Sequence, residues 1–206
     1  YIKKLISKKV CGIAFDTIRD EHKKFPVIQS MGEIAGNTSV LIAAELLSNA
    51  NNGKGLMLGG VAGVPATEII ILGAGNVGEF AARAALGLGA TVKVFDNSLY
   101  KLRRLQNDLG TRVFTCIMQP DVLATKLKTA DVVIGAIRSA GKVTPCVVTE
   151  SMIQDMKEGS VVVDVSIDQG GCFETSKVTD HNNPVFTIHG VIHYCVPNIS
   201  SRVART

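Results

Sequence analysis

Two groups of residues in this chain of 206 have the types and spacing of a chemical site. The first is Gly73-Ala74-Gly75-Asn76-Val77-Gly78, directly behind the apolar run Ile69–Leu72 and directly ahead of an Ala-rich stretch. A G-x-G-x-x-G hexapeptide alone is weak evidence, but strand, glycine loop and helix in that order is the context in which it binds a dinucleotide. Gly73 permits the tight turn, Gly75 lets backbone approach a pyrophosphate, and Gly78 lets the helix pack closely on the strand. The orphan amides of the helix N-terminus, Asn76 and Val77 among them, then face the diphosphate, and the helix dipole favours negative charge there.

An acid stands where that chemistry needs one. The next apolar run, Thr91–Phe95, ends in Asp96, about twenty residues beyond the last glycine, where a carboxylate accepts hydrogen bonds from the adenosine ribose. It would repel a ribose phosphate, so NAD is favoured over NADP. Lys101, Arg103 and Arg104 on the following helix temper that preference slightly, and Lys101 is a candidate cofactor contact. An adenosyl-methionine methyltransferase would also carry an acid there, although with a looser glycine loop. The bland reading is a strand-helix joint with a surface Asp.

The second group is Asp168 with Asn198. Asp168 lies just past the apolar run Ser160–Asp164 and just before Gly170-Gly171, at the carboxyl end of a strand, where open α/β sheets place ligands. A carboxylate there suits general acid/base or orienting work. Its plain alternative is to stabilise a turn, and Asn198 has a similar alternative as a local cap.

Positioning these groups requires a repeating alternation. Strands are expected at Ile69–Leu72, Thr91–Phe95, Arg112–Ile117, Asp131–Ile134 and Ser160–Asp164, and helices at Asn76–Leu88, Leu99–Leu109, Asp121–Lys128 and Glu150–Met156. Near-continuous apolar strands separated by helices imply a parallel sheet covered on both faces, a doubly wound Rossmann-like α/β fold. Further apolar runs follow at Val185–Ile188 and Val191–Val196. Ahead of this unit, Val10–Phe15 reads as a buried strand, and Ser30 with Glu33 as a capping box opening a helix from Ser30 to Asn49. The expected division is residues 1–29 as a linker or remnant of a second, substrate domain, and residues 30–206 as the dinucleotide-binding domain. Tyr1–Lys9 reads as the tail of an element that begins earlier, so the chain is expected to be a fragment.

Composition narrows the classes. The chain is 46% hydrophobic, only 5% aromatic and without Trp, with a net charge of +4 carried by scattered Lys and Arg. Nucleic-acid binding would want a basic stripe with stacking platforms, so the short clusters, Lys23-Lys24 among them, read as solvated surface. No apolar run reaches membrane-span length. Five unpaired, widely spaced cysteines read as mostly buried free thiols in a reducing cytoplasm, and neither they nor the four histidines have metal-ligand spacing.

Ser30–Gly36, Gly53-Lys54-Gly55, Gly73–Gly78, Ala85–Ala90, Val161–Gly171 and His193–Asn198 together resemble the family of alanine dehydrogenase and the NAD-binding subunit of proton-translocating nicotinamide nucleotide transhydrogenase. The resemblance runs from about Phe25 to the end, and Asp168-Gln169-Gly170-Gly171 followed by His193-Tyr194 and Asn198 is its most specific part. It implies oxidative deamination of L-alanine by NAD, through an imine that adds water and breaks down to pyruvate and ammonia. It also implies that Asp168 is the catalytic aspartate, that Asn198 lies beside nicotinamide together with the segment containing Ala136 and Ile137, and that the protein assembles as a homo-oligomer, commonly a hexamer. Two segments depart from the family pattern: Arg138–Thr144, and Ile199 followed by Ser200-Ser201-Arg202. No stretch matches the family's substrate-binding arginine, lysine and catalytic histidine, so the fragment is expected to bind NAD without turning over alanine alone. A transhydrogenase subunit and a non-catalytic NAD-binding module are the other readings.

Overall fold

The computed structural model describes residues 1–139 and 143–206. The apolar runs become a seven-stranded sheet formed by β1 (Glu68–Leu72), β2 (Thr91–Phe95), β3 (Phe114–Cys116), β4 (Val132–Gly135), β5 (Val161–Asp164), β6 (Val185–Ile188) and β7 (Val191–Tyr194). Their order is β3-β2-β1-β4-β5-β7-β6, with every pairing parallel except that of β6 with β7. All of β4 and β5 and nearly all of β1 are buried. That is why these strands read as unbroken Ile and Val rather than as an alternating pattern. β6 is half exposed and closes the edge as the outer arm of a hairpin turning at His189-Gly190.

The helices are α1 (Ile2–Ser7), α2 (Pro26–Leu47), α3 (Asn76–Gly87), α4 (Leu99–Leu109), α5 (Pro120–Leu127) and α6 (Glu150–Gln154). Side chains alternate across the strands and split the core into two layers. Ile69, Ile71, Ile134 and Val163 pack on α2 and α3, whereas Ile70, Leu72, Val133 and Val162 pack on Leu123, Leu127, Ile153 and Phe173. Close approach of α2 to α3 depends on Gly36, where an added Cβ would stand 2.5 Å from the Val77 carbonyl oxygen. At the amino ends of the strands, Asp131 accepts from the Glu68 amide at 2.9 Å and pairs with Lys54 and Lys157. Lys54 also donates to Ser160 Oγ at 3.0 Å, and burial lowers its pKa. The Gly53-Lys54-Gly55 segment is therefore a structural lock at the end of the sheet far from the glycine loop.

Three expectations are corrected. Val10–Phe15 forms no strand, since among the described residues no neighbour offers it a ladder: Val10 and Ile13 are exposed, and Phe15 begins a single 3₁₀ turn. The long helix starts not at Ser30 but at Pro26, whose fixed φ and missing N–H suit the first helical turn. Ser30 Oγ donates back to the Pro26 carbonyl at 3.2 Å, so no capping box forms. Of the five cysteines, only Cys172 and Cys195 are buried, because Cys11 and Cys146 lie in exposed loops.

Candidate dinucleotide cleft

The sheet order reverses direction at β1, which sends its chain crossovers to opposite sides and opens a crevice between the carboxyl ends of β1 and β4. Gly73 leaves β1 with φ +113°, and a Cβ there would stand 2.5 Å from the Ala136 carbonyl at the end of β4. Gly75 caps α3, with nothing within 4 Å of the position a Cβ would take, and Gly78 lies so close to Gly73 that a Cβ would strike its carbonyl. The three glycines therefore do different work: one turns, one keeps the loop open, and one packs.

A cleft of about 940 Å³ lies over this loop. It brings together Gly73, Gly75, Asn76, Val77, Asp96, Lys101, Ala136 and Ile137, all singled out from the sequence. Gly78 stands behind the loop and does not line the cleft. Asp96 closes the loop as well as facing the cleft: its Oδ2 accepts from the Ala74 amide and its Oδ1 from the Ser98 amide, both at 2.8 Å. Lys101 Nζ stands 3.9 Å from Asp96 Oδ2. Asn76 Nδ2 donates to the Gln29 carbonyl, tying α3 to α2 across the cleft wall. Lys23, Lys24 and Phe25 also line the cleft, so this basic pair is exposed as expected yet borders the site.

Asp168 and Asn198 lie in a second, contiguous cavity of about 260 Å³, which shares Val77, Ala136, Ile137 and Arg138 with the first. Asp168 sits in a 3₁₀ turn, Val165–Gln169, immediately after β5. Its Oδ1 accepts the Asn198 amide at 2.8 Å, and Asn198 has φ +51°, a conformation asparagine tolerates better than most residues. Arg138 lines both cavities; residues 140–142 of the segment departing from the family pattern lie outside the described residues.

Sequence reasoning did not single out the supports of this arrangement. Asp164, at the end of β5, accepts from the Ser166 and Cys172 amides at 3.0 Å and from Ser176 Oγ at 2.6 Å. Burial raises its pKa, against the pull of those donors. The Gln169 side chain accepts the Ser139 amide at 3.2 Å and donates to the Ser139 carbonyl at 3.1 Å, and its own carbonyl accepts from Thr144. Gln169 thus pins the departing segment to the turn that carries Asp168. Only its place inside Asp168-Gln169-Gly170-Gly171 could have signalled it. His193 is fully buried: its Nδ1 donates to the Val191 carbonyl at 2.9 Å, Nε2 accepts from Thr175 Oγ1 at 2.8 Å, and the ring stacks on Phe186. Fixed there, it is a core residue and lines neither cavity. Among the described residues no cluster of His, Cys, Asp or Glu could hold a metal, and no helix is long and apolar enough to cross a membrane.

A glycine loop at the switch point of a doubly wound sheet, with an acid at the end of β2, defines a Rossmann-like dinucleotide-binding domain. Residues 39–206 match the family described as Alanine dehydrogenase/PNT, C-terminal domain, and the chain belongs to that family. It is 43% identical over 203 residues to "Alanine dehydrogenase 2" of Staphylococcus aureus (strain USA300), covering 98% of this chain and 55% of that protein. Among solved structures it is similar to an L-alanine dehydrogenase, with a TM-score of 0.90 and 35% identity over 99% of this chain and 59% of that one. A transhydrogenase from Sinorhizobium meliloti is more distant, with a TM-score of 0.72 and 29% identity over 86% of this chain and 50% of that one. The chain thus spans about half the length of the relatives it matches.

Proposed function

We propose that this chain is the NAD-binding part of an alanine dehydrogenase, which oxidatively deaminates L-alanine to pyruvate and ammonia. The observation that carries the reading is the continuity of the two cavities: a dinucleotide laid over Gly73–Gly78 leads directly to Asp168 and Asn198. The residues present fit the cofactor, since the open space at Gly75 admits a diphosphate beside the first amides of α3 and Asp96 faces the place of the adenosine ribose. Bound there, NAD would supply the hydride acceptor.

This chain's residues then orient and handle protons. Asn198 N–H holds Asp168 Oδ1, leaving Oδ2 to take a proton from the water that attacks the substrate imine and to return it to the nitrogen that departs as ammonia. Ala136, at the end of β4, brings backbone against Gly73 and walls the junction of the two cavities. Contacts to the substrate carboxylate would come from a substrate domain, because no stretch of this chain matches those motifs. A homo-oligomer in the cytoplasm is the assembly and location consistent with the family. The similarity is greater to the alanine dehydrogenases than to the transhydrogenase, which favours deamination over hydride transfer between nucleotides. The test is NAD-dependent alanine oxidation by this chain joined to such a substrate domain. Pyruvate and NADH formed together support the proposal, and NADH formed only with another amino acid would replace alanine as the substrate.

A further inference from the structure

Ala74 is held on both sides. Its N–H goes to Asp96 Oδ2 at 2.8 Å, and its carbonyl accepts from Arg104 Nη2, reaching across from α4, at 3.2 Å. The carbonyl of residue 74 and the N–H of residue 75 share one trans peptide plane and point in opposite directions. Anchoring that carbonyl on Arg104 therefore turns the Gly75 N–H away from α4. Gly75 lines the cleft, and its N–H has no acceptor among the described residues. The clamp matters because a glycine on the far side of this peptide gives it little resistance to rotation.

Arg104 stands between acids. Its Nη2 stands 3.7 Å from Glu79 Oε2 and its Nε 3.5 Å from Asp108 Oδ2, while Arg83 pairs with the same Glu79 at 3.0 Å. Two acids facing two arginines leave little net charge to draw a phosphate from a distance. Arg104 lines the cleft, and its Nη2 is the atom that bonds the Ala74 carbonyl.

We infer that Arg104 is a positioning residue, which sets the Ala74–Gly75 peptide so that the Gly75 N–H donates to the cofactor diphosphate. The inference rests on the dinucleotide reading of the cleft. Its test is the affinity of the chain for NADH, ADP and adenosine in the unchanged, Arg104→Met and Arg104→Lys forms, at low and high salt. NADH and ADP should bind Arg104→Met about tenfold more weakly while adenosine, which lacks the diphosphate, stays within about twofold, and Arg104→Lys should recover most of the loss. The loss should persist in high salt, because a peptide orientation is not screened. Equal NADH affinity in the unchanged and Arg104→Met chains overturns the role of Arg104 and leaves the cofactor reading standing. An equal loss for adenosine, or a loss that vanishes in high salt, overturns it too. If the unchanged chain binds neither NADH nor ADP, the cofactor reading falls and the inference with it.

Discussion

The Asn198 N–H donates to Asp168 Oδ1 at 2.8 Å, joining the turn after β5 to the 3₁₀ turn that begins after Asn198. Asp168→Asn keeps an oxygen that can accept this bond and loses the proton-accepting carboxylate, whereas Asp168→Ala loses both. NADH affinity should therefore stay within about threefold in Asp168→Asn and fall further in Asp168→Ala. Alanine oxidation, assayed with a substrate domain joined to the chain, should be lost in both. Full activity in Asp168→Asn would remove the acid/base role.

Glycine packing gives a sharper contrast. Alanine at Gly78 would press a methyl into the Gly73 carbonyl, and at Gly36 it would meet the Val77 carbonyl and the Ala81 amide of α3. Each should cost about 1–3 kcal/mol in chemical denaturation. Gly87, at the exposed end of α3, has nothing within 4 Å of an added Cβ. Gly87→Ala should instead stabilise the chain by about 0.4–1 kcal/mol.

Burial holds the His193 imidazole below its ordinary value of 6.5, against the opposing effect of its bond to the Val191 carbonyl. The folded chain thus keeps the ring neutral while the unfolded chain protonates it. The stability tied to this group is full above 6.5 and is lost as pH falls from there towards the lowered folded value. Urea unfolding at about pH 7 and about pH 5 should show a smaller drop in His193→Gln than in the unchanged chain. Asp164 titrates with the opposite sign but is common to both proteins, so it cancels in the comparison. An equal drop would show that His193 does not set this slope.

Thiol reactivity should follow burial rather than sequence neighbours. Cys172 is buried with its thiol pushed well up, and burial lifts that of Cys195 to about 11. Iodoacetamide at neutral pH, followed by peptide mass analysis, should modify Cys11 in the native chain and reach Cys172 and Cys195 only after unfolding. Early modification of Cys195 would mean that β7 opens locally.

Residues whose role is local were legible in the sequence. Ile69–Leu72, followed at once by the glycine loop, reads as a buried strand, the three glycines announce a turn and a close helix, and Asp96 follows from its place at the end of β2. What needed the folded chain was long-range pairing. Val10–Phe15 has the composition of a strand, but a strand requires a neighbour, and among the described residues none lies beside it. Ser30 and Glu33 have capping-box spacing, but the helix had already begun at Pro26. Gln169 bonding Ser139, Ser176 reaching back to Asp164, and Arg104 reaching Ala74 each join residues well separated in sequence, and neither composition nor periodicity encodes such pairs.

We propose that the cleft over Gly73–Gly78 binds NAD through its diphosphate and a ribose held by Asp96. Calorimetric titration of the chain with NADH and NADPH, repeated with Asp96→Ala, tests it most directly. NADH should bind at least about tenfold more tightly than NADPH, and Asp96→Ala should erase that preference while weakening NADH, because the Ala74 amide loses its acceptor as well. Equal binding of the two nucleotides to the unchanged chain, or binding of neither, would contradict the account.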